Sequence, residues 1–342
     1  MRIAVFCTLS TGLFSIERAM DLGLKIDKVI GLNPDLSINL DLVSGYVDIR
    51  SFCKKKKIHY KLVKDYSLKS ENANLLLKNI DLIWVAGWQR LIPESFISIA
   101  KFGAIGVHGS CDGITKGRGR SPQNWALLIG AKIFDISLFK ISNGVDDGSV
   151  IFSNTFKITD TDNILTSYIK SSICIAENIV SICKDPSILK NALPQKGEPS
   201  YFPKRIPSDG FIDWNMSVTD INNQVRALSH PYPNARTFYK DCEIYINKST
   251  PILCKLSYDN GYVVKRFLDG KLLVSGKDGG LLLEDYTVKG EFNNISQGIR
   301  FKSVCMSKTV KQIINRFEKE FPNKPLNQSL VSFWKRKGIK TK

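Results

Sequence analysis

RIAVFCTLSTGLFSIERAMDLGLKIDKVIGL, residues Arg2–Leu32, reads as strand, loop, helix and strand. Arg2–Cys7 is a mostly apolar run of strand length. LFSIERAMDLG spaces its apolar residues as a helix does and stops at Gly23, and Lys28–Leu32 is a second buried strand closed by Asn33-Pro34. Further along the chain, Ile58–Val63 makes a third strand after the helix-like DIRSFCKKKK. A short helix over Ser70–Asn79 then feeds a fourth strand at Asp81–Ala86. Strands alternating with helices at this spacing predict an α/β fold, a Rossmann-like, mostly parallel sheet with helices on both faces. Ligands of such sheets sit beyond the carboxyl ends of the strands, which singles out Thr8–Gly12, Gly87–Leu91 and the segment after Ala104–Val107. The first of these has no G-x-G-x-x-G, so a dinucleotide site is not expected.

With 342 residues, 43% of them hydrophobic and 24% charged, the chain is an ordinary globular composition long enough for two domains. From Thr237 the pattern changes to short strands (FYKDCEIYI, GYVVKRFLDGKLLVSG, GGLLLEDYTV), which predict a smaller C-terminal β domain of barrel type. The expected division is a site-bearing domain over 1–200, a linker and small β domain over 201–305, and a helix with a basic tail over 306–342. Asn163–Cys183 reads as a long packing helix stopped by Asp185-Pro186, Lys311–Phe321 as an amphipathic helix and Val331–Lys342 as a frayed tail. The N-terminus has neither a basic leader nor a long enough apolar run, so a soluble cytoplasmic protein without membrane contact is expected. Eight cysteines without a Cys-x-x-Cys pair suggest neither a disulfide framework nor a zinc site. The net charge is +17, and residues 305–342 hold ten Lys/Arg against two Asp/Glu. That keeps tRNA or another polyanion open as a partner without requiring one.

The densest cluster of site-type residues lies in Phe102–Ile151, FGAIGVHGSCDGITKGRGRSPQNWALLIGAKIFDISLFKISNGVDDGSVI. A strand ending at Val107 puts His108 at the carboxyl edge of the sheet. Gly109, Ser110, Gly113, Gly117 and Gly119 then form a loop that lets a ligand approach closely, to which Lys116, Arg118 and Arg120 add positive charge. Ser121-Pro122 is an N-cap and first helical position, so the helix Pro122–Leu128 should aim its positive end at the same place. Phe134–Ile141 is another strand, and Asp146-Asp147-Gly148 is a turn that returns a carboxylate toward the histidine.

The ordered set His108, Ser110, Arg118, Gly119, Pro122, Trp125, Asp146 and Gly148 resembles the folate-dependent formyltransferase family, which includes methionyl-tRNA formyltransferase and the nucleotide-sugar N-formyltransferases. Ala86-Gly87-Trp88 is similar to the family's pterin-binding edge. Phe211–Trp214, Arg226-Ala227 and Pro231–Ala235 are similar to its linker and the start of its C-terminal domain. Two departures stand out. Gly106-Val107-His108 replaces the family's Asn-x-His, and the Ser-to-Arg loop is two residues longer and lacks Leu-Leu-Pro. Asn124 is expected to supply the missing amide.

The resemblance implies transfer of a formyl group from N10-formyltetrahydrofolate, a co-substrate, to a primary amine, with no metal. Such a reaction needs a close electrophile, an unprotonated amine and donors for a developing oxyanion. His108 is assigned to the reacting centre as donor or proton acceptor, and Asp146 to orienting the ring and favouring its charged form. Ala86, Gly87, Trp88, Arg90 and Asp147 are set beside the folate, although Asp147 reads first as a turn former. Ser110, Lys116, Arg118 and Arg120 are set beside the acceptor, although Ser110 reads slightly better as a turn former. For that acceptor the altered loop favours a nucleotide-linked amino sugar, whose diphosphate suits the basic residues. The alternatives are methionyl-tRNA and a non-catalytic nucleic-acid- or ligand-binding relative. A homodimer is compatible with all three.

Overall fold

The computed structural model describes residues 1–37, 45–290 and 295–340. It divides into two compact units. The first is Met1–Thr115, Asp135–Phe156 and Tyr168–Glu198; the second is Lys116–Phe134, Lys157–Ser167 and Pro199–Lys342. This differs from a sequential cut near residue 200, because 116–134 and 157–167 belong with the C-terminal part of the chain. The reason is non-local pairing. Arg118–Gly119 (β6) bonds in parallel to Tyr201–Phe202 (β9), and the Pro122–Leu128 helix packs against Val218–Leu228.

The first unit is built on a seven-stranded sheet of order β3-β2-β1-β4-β5-β7-β8. Its strands are Ile3–Phe6 (β1), Lys28–Leu32 (β2), His59–Val63 (β3), Leu82–Val85 (β4), Ala104–Ser110 (β5), Ile133–Lys140 (β7) and Val150–Lys157 (β8). The pairs from β3 through β5 are parallel, and β7 is antiparallel to β5. β1 and β4 are buried at every position, which is why they read as uninterrupted apolar runs rather than alternating ones. The following helix, Ser10–Asp21, begins three residues earlier than its apolar pattern alone indicates and buries Gly12, Ser15, Ile16 and Ala19, one stripe of a helix. Thr8–Gly12 is therefore mostly helix rather than an open ligand loop. Ile164–Lys184 is the expected long helix.

The second unit carries a five-stranded sheet of order β10-β11-β14-β13-β12, with every pair antiparallel. Its strands are Ala235–Tyr239 (β10), Cys242–Ile252 (β11), Val263–Arg266 (β12), Leu272–Ser275 (β13) and Gly280–Lys289 (β14). Cys242, Ile244 and Ile246 alternate inward along β11, the period-2 pattern of a sheet packed on one face. The tail is not frayed. Gln328–Arg336 is a helix capped by Asn327, and Leu330, Phe333 and Trp334 bury one face of it, with Trp334 edge-on to Trp125 at 6.0 Å. The last two residues of the expected tail, Thr341 and Lys342, lie outside the described residues. Among the described residues all eight cysteines are free, and no helix is long and apolar enough to cross a membrane.

Candidate active site

β5 runs past its expected end at Val107 to Ser110, so His108 lies inside the strand, opposite Ser137 of β7. Pairing with β7 carries the strand on through Gly109 and Ser110, and no local signal in the sequence announces that pairing. The alternation of a strand puts Gly106, His108 and Ser110 on one face, with Phe139, Ser137 and Asp135 directly opposite them. His108 is only 9% exposed, and its Nδ1 stands 3.3 Å from Oδ2 of Asp146. With Nδ1 turned to the carboxylate, Nε2 is the ring nitrogen that points away from it.

Asp146 sits in the loop between β7 and β8 in the left-handed region, φ 51°, a conformation Asp tolerates better than most residues. Gly148 fixes the other end of this turn. A Cβ there would fall 1.7 Å from the Lys140 carbonyl oxygen, so only glycine lets the chain cross so closely. The Asp147 carboxylate accepts the Ser142 hydroxyl and so turns inward on its own loop. Its place beside a folate is not supported. Ser110 is also committed. It is fully buried, and its Oγ accepts the Asp112 amide at 3.0 Å, which makes it a turn former rather than an acceptor contact. Burial pushes the neighbouring Cys111 thiol up to about 12, so no thiolate nucleophile stands beside the histidine.

At the end of β4, Gly87 takes φ 87° and its carbonyl accepts both the Thr8 amide and the Thr8 hydroxyl. Trp88 is not a platform for a flat ligand. Its ring is buried, edge-on to Phe6 at 5.4 Å and Tyr66 at 4.7 Å, as part of the core beneath the sheet edge. Arg90 is exposed and holds its guanidinium 5.1 Å from the Tyr66 ring centroid. This edge presents a half-buried glycine backbone and an exposed cation, and it lacks a stacking indole. Among the described residues no three His, Cys, Asp or Glu side chains gather as a metal site.

The formyl transferase family model matches residues 48–172, and the model of the formyl transferase C-terminal domain matches 205–292. This chain belongs to the formyltransferase family. It is 29% identical over 334 residues to the bifunctional polymyxin resistance protein ArnA of Wigglesworthia glossinidia brevipalpis, covering 92% of this chain and 49% of that one. With the methionyl-tRNA formyltransferase of Thermodesulfovibrio yellowstonii it shares 34% identity over 185 residues, 53% of this chain and 59% of that one. The chain thus spans about half the length of the curated relatives it matches. Its fold is that of HypX from Aquifex aeolicus, solved with tetrahydrofolic acid (TM-score 0.60, 16% identity, 92% of this chain and 47% of that one). It is also that of the Helicobacter canadensis N-formyltransferase, solved with folinic acid and dTDP-3-aminofucose (TM-score 0.55, 17% identity, 84% of this chain and all of that one).

The remaining expected site residues of this formyltransferase chain lie in the second unit. Lys116 is exposed, and its carbonyl accepts Ser200 Oγ and Asn327 Nδ2. Arg118 is buried, and Arg120 stands 3.6 Å from Glu320. Ser121 takes φ 52° and caps nothing with its side chain, so the seven-residue helix Pro122–Leu128 begins without the expected cap. Asn124 is already engaged elsewhere. Its Nδ2 donates one N–H to the Ala227 carbonyl at 2.7 Å in a fully buried setting, and its Oδ1 is an acceptor that cannot stabilise an oxyanion. Asn124→Ala is expected to retain the wild-type kcat and to cost about 1–3 kcal/mol, because the Ala227 carbonyl is left buried without its donor. Denaturant titration beside a turnover assay checks both halves.

A cavity of about 320 Å³ in the second unit, bordered by Phe238, Tyr239, Lys240, Asn260, Arg300 and Lys302 among others, contains none of the expected site residues. Nearby in the chain, the half-buried Arg205 guanidinium is pushed down to about 10 by desolvation, which outweighs the opposing charge of Asp209, and it lies 4.9 Å from the Trp125 ring. Asp209 accepts Arg316 at 2.6 Å. This is a structural ion cluster that ties the linker to the Met306–Glu320 helix.

Proposed function

We propose that this chain is an N-formyltransferase that moves a formyl group from N10-formyltetrahydrofolate to the primary amine of a nucleotide-linked amino sugar. The observation that carries the reaction is the buried His108 with Asp146 at 3.3 Å, held in a strand and a glycine-locked turn. Bound formyltetrahydrofolate supplies the electrophilic carbon. His108 contributes Nε2, either to accept a proton from the attacking amine or to donate to the developing oxyanion. Asp146 fixes the ring's orientation, an arrangement that preorganises the site before substrate arrives. The backbone of Ala86 and Gly87 and the Arg90 guanidinium hold the folate. Of the basic residues expected at an acceptor's diphosphate, Lys116 is exposed, while Arg118 is buried and Arg120 faces Glu320.

The sugar reading is supported by the Helicobacter canadensis N-formyltransferase, whose full length matches this chain and which was solved with a nucleotide-linked amino sugar. Methionyl-tRNA is the second reading, favoured by the 34% identity to a methionyl-tRNA formyltransferase and by Lys335, Arg336 and Lys337 at the end of the ordered C-terminal helix. Purified protein incubated with formyltetrahydrofolate and either a panel of nucleotide-linked amino sugars or methionyl-tRNA, with product followed by mass, separates the two. Formylated sugar alone supports the proposal. Formylated tRNA alone overturns it in favour of the second reading, and no product with either points to another amine or to a binding protein.

A further inference from the structure

Gln195 lies in a stretch, LPQKGEP, that carries no site motif, and its side chain is bonded at both ends to the candidate active site. Nε2 donates to the carbonyl of Asp146 at 2.7 Å and to that of Gly148 at 3.0 Å, so one amide group grips the turn on both sides of Asp147. Oε1 accepts the hydroxyl of Thr115 at 3.0 Å, in the single helical turn Gly113–Lys116 that follows the His108 strand. These bonds settle the amide's orientation, since two carbonyls can face only the nitrogen and Thr115 donates to the oxygen. The backbone just before Gln195 is also fixed. Leu193 and Val150 exchange both amide–carbonyl bonds, at 2.7 and 2.9 Å, which lays this segment along the start of β8.

We propose that Gln195 is a positioning residue for the His108–Asp146 pair, a reading that rests on the formyl-transfer function proposed above. Asp146 is held in a left-handed backbone conformation, φ 51°, within a loop of nine residues between β7 and β8. Carboxylate placement there depends on a backbone that its own sequence leaves free to relax. Gly148 prevents relaxation at one end through its contact with Lys140, and Gln195 prevents it at Asp146 itself. The Thr115 bond adds a second consequence. The glycine-rich segment after His108 and the turn bearing Asp146 are tied to one side chain, so a shift of either is transmitted to the other.

The test compares Gln195→Ala, Gln195→Met and Asp146→Asn with the wild type, Met keeping the length of Gln without its donor in case the Ala variant fails to fold. Three quantities are read: kcat and KM for formyltetrahydrofolate with the accepted amine, and the position of the His108 imidazole Cε1–H resonance in the protein without substrate. The chain has only three histidines, and loss of a signal in His108→Gln assigns the one required. Expected is a fall in kcat on the order of 10–10²-fold with KM changed less than about threefold, as for a displaced catalytic group. The His108 resonance should also move toward its position in Asp146→Asn. An unmoved resonance in both Gln195 variants, whether or not kcat falls, overturns the proposal, because Gln195 would then act by another route or not at all. If the wild type transfers no formyl group to any acceptor, the proposed function fails, and the resonance alone still decides whether Gln195 positions the pair.

Discussion

Replacing His108 by glutamine is expected to lower formyl transfer by about 10²–10⁴-fold, the range for losing a positioned proton-transfer group. The expectation follows from where the ring is held. His108 is inside β5, paired across to Ser137, with Nδ1 at 3.3 Å from Asp146, so the chain has fixed both its position and its rotation. Glutamine fits the same strand and can still donate to Asp146, but it has no atom that takes up a proton near neutral pH. The variant should therefore melt close to the wild type and bind folate, with the loss confined to kcat. Asp146→Asn should lose less, because the imidazole remains and only its orienting charge is removed. Single-turnover rates for the two variants, set beside their thermal midpoints, check this order. A His108→Gln enzyme within about tenfold of wild type would remove the histidine from the chemistry and leave the site to approximation alone.

Much of this arrangement is legible in the sequence because it rests on local signals. The apolar runs of β1, β2 and β4 declare themselves through composition, since a strand buried on both faces has no polar side to confuse the pattern, whereas the edge strand β3 keeps His59 and Lys61 exposed. The pair His108 and Asp146 stands out because a histidine at a strand end and an Asp-x-Gly turn are separately unusual. What the sequence hides is pairing between distant residues. Ser110 reads as either a ligand contact or a turn former until its hydroxyl is seen to cap Asp112. Asn124 looks like a spare amide until Ala227, about a hundred residues on, takes its donor. Trp88 beside a glycine fits a stacking platform and a packing residue equally, and the choice between them is made by Phe6 and Tyr66 on other elements. Gln195 gives no signal because it acts through backbone carbonyls, which every residue has. The tail was hidden for a different reason. Its lysines dominate the composition, while the three residues that bury it, Leu330, Phe333 and Trp334, need Trp125 to pack against.

Gly106→Asn, which would restore the Asn-x-His pattern of the family, is expected to destabilise the first unit rather than improve the site. The position is not merely missing a side chain. A Cβ at Gly106 would fall 2.7 Å from Cζ and 3.1 Å from Cε1 of Phe139, and 3.1 Å from Cγ1 of Ile141. Phe139 is the residue directly opposite in β7, 4% exposed, so its ring occupies the space that a side chain at 106 would need. An asparagine there combines overpacking, about 1–3 kcal/mol, with a buried amide lacking partners, about another 1–3 kcal/mol. Phe139→Leu in the same chain withdraws the ring tip and should recover part of the overpacking term, so the two substitutions are expected to be strongly non-additive. Denaturant midpoints of the two single variants and the double variant measure that coupling. Additive losses would mean that the ring moves aside freely and that glycine at 106 has no steric cause. Strong coupling would mean that Gly106 and Phe139 form one unit, so that any amide this site uses to hold a formyl oxygen must enter from an element other than β5.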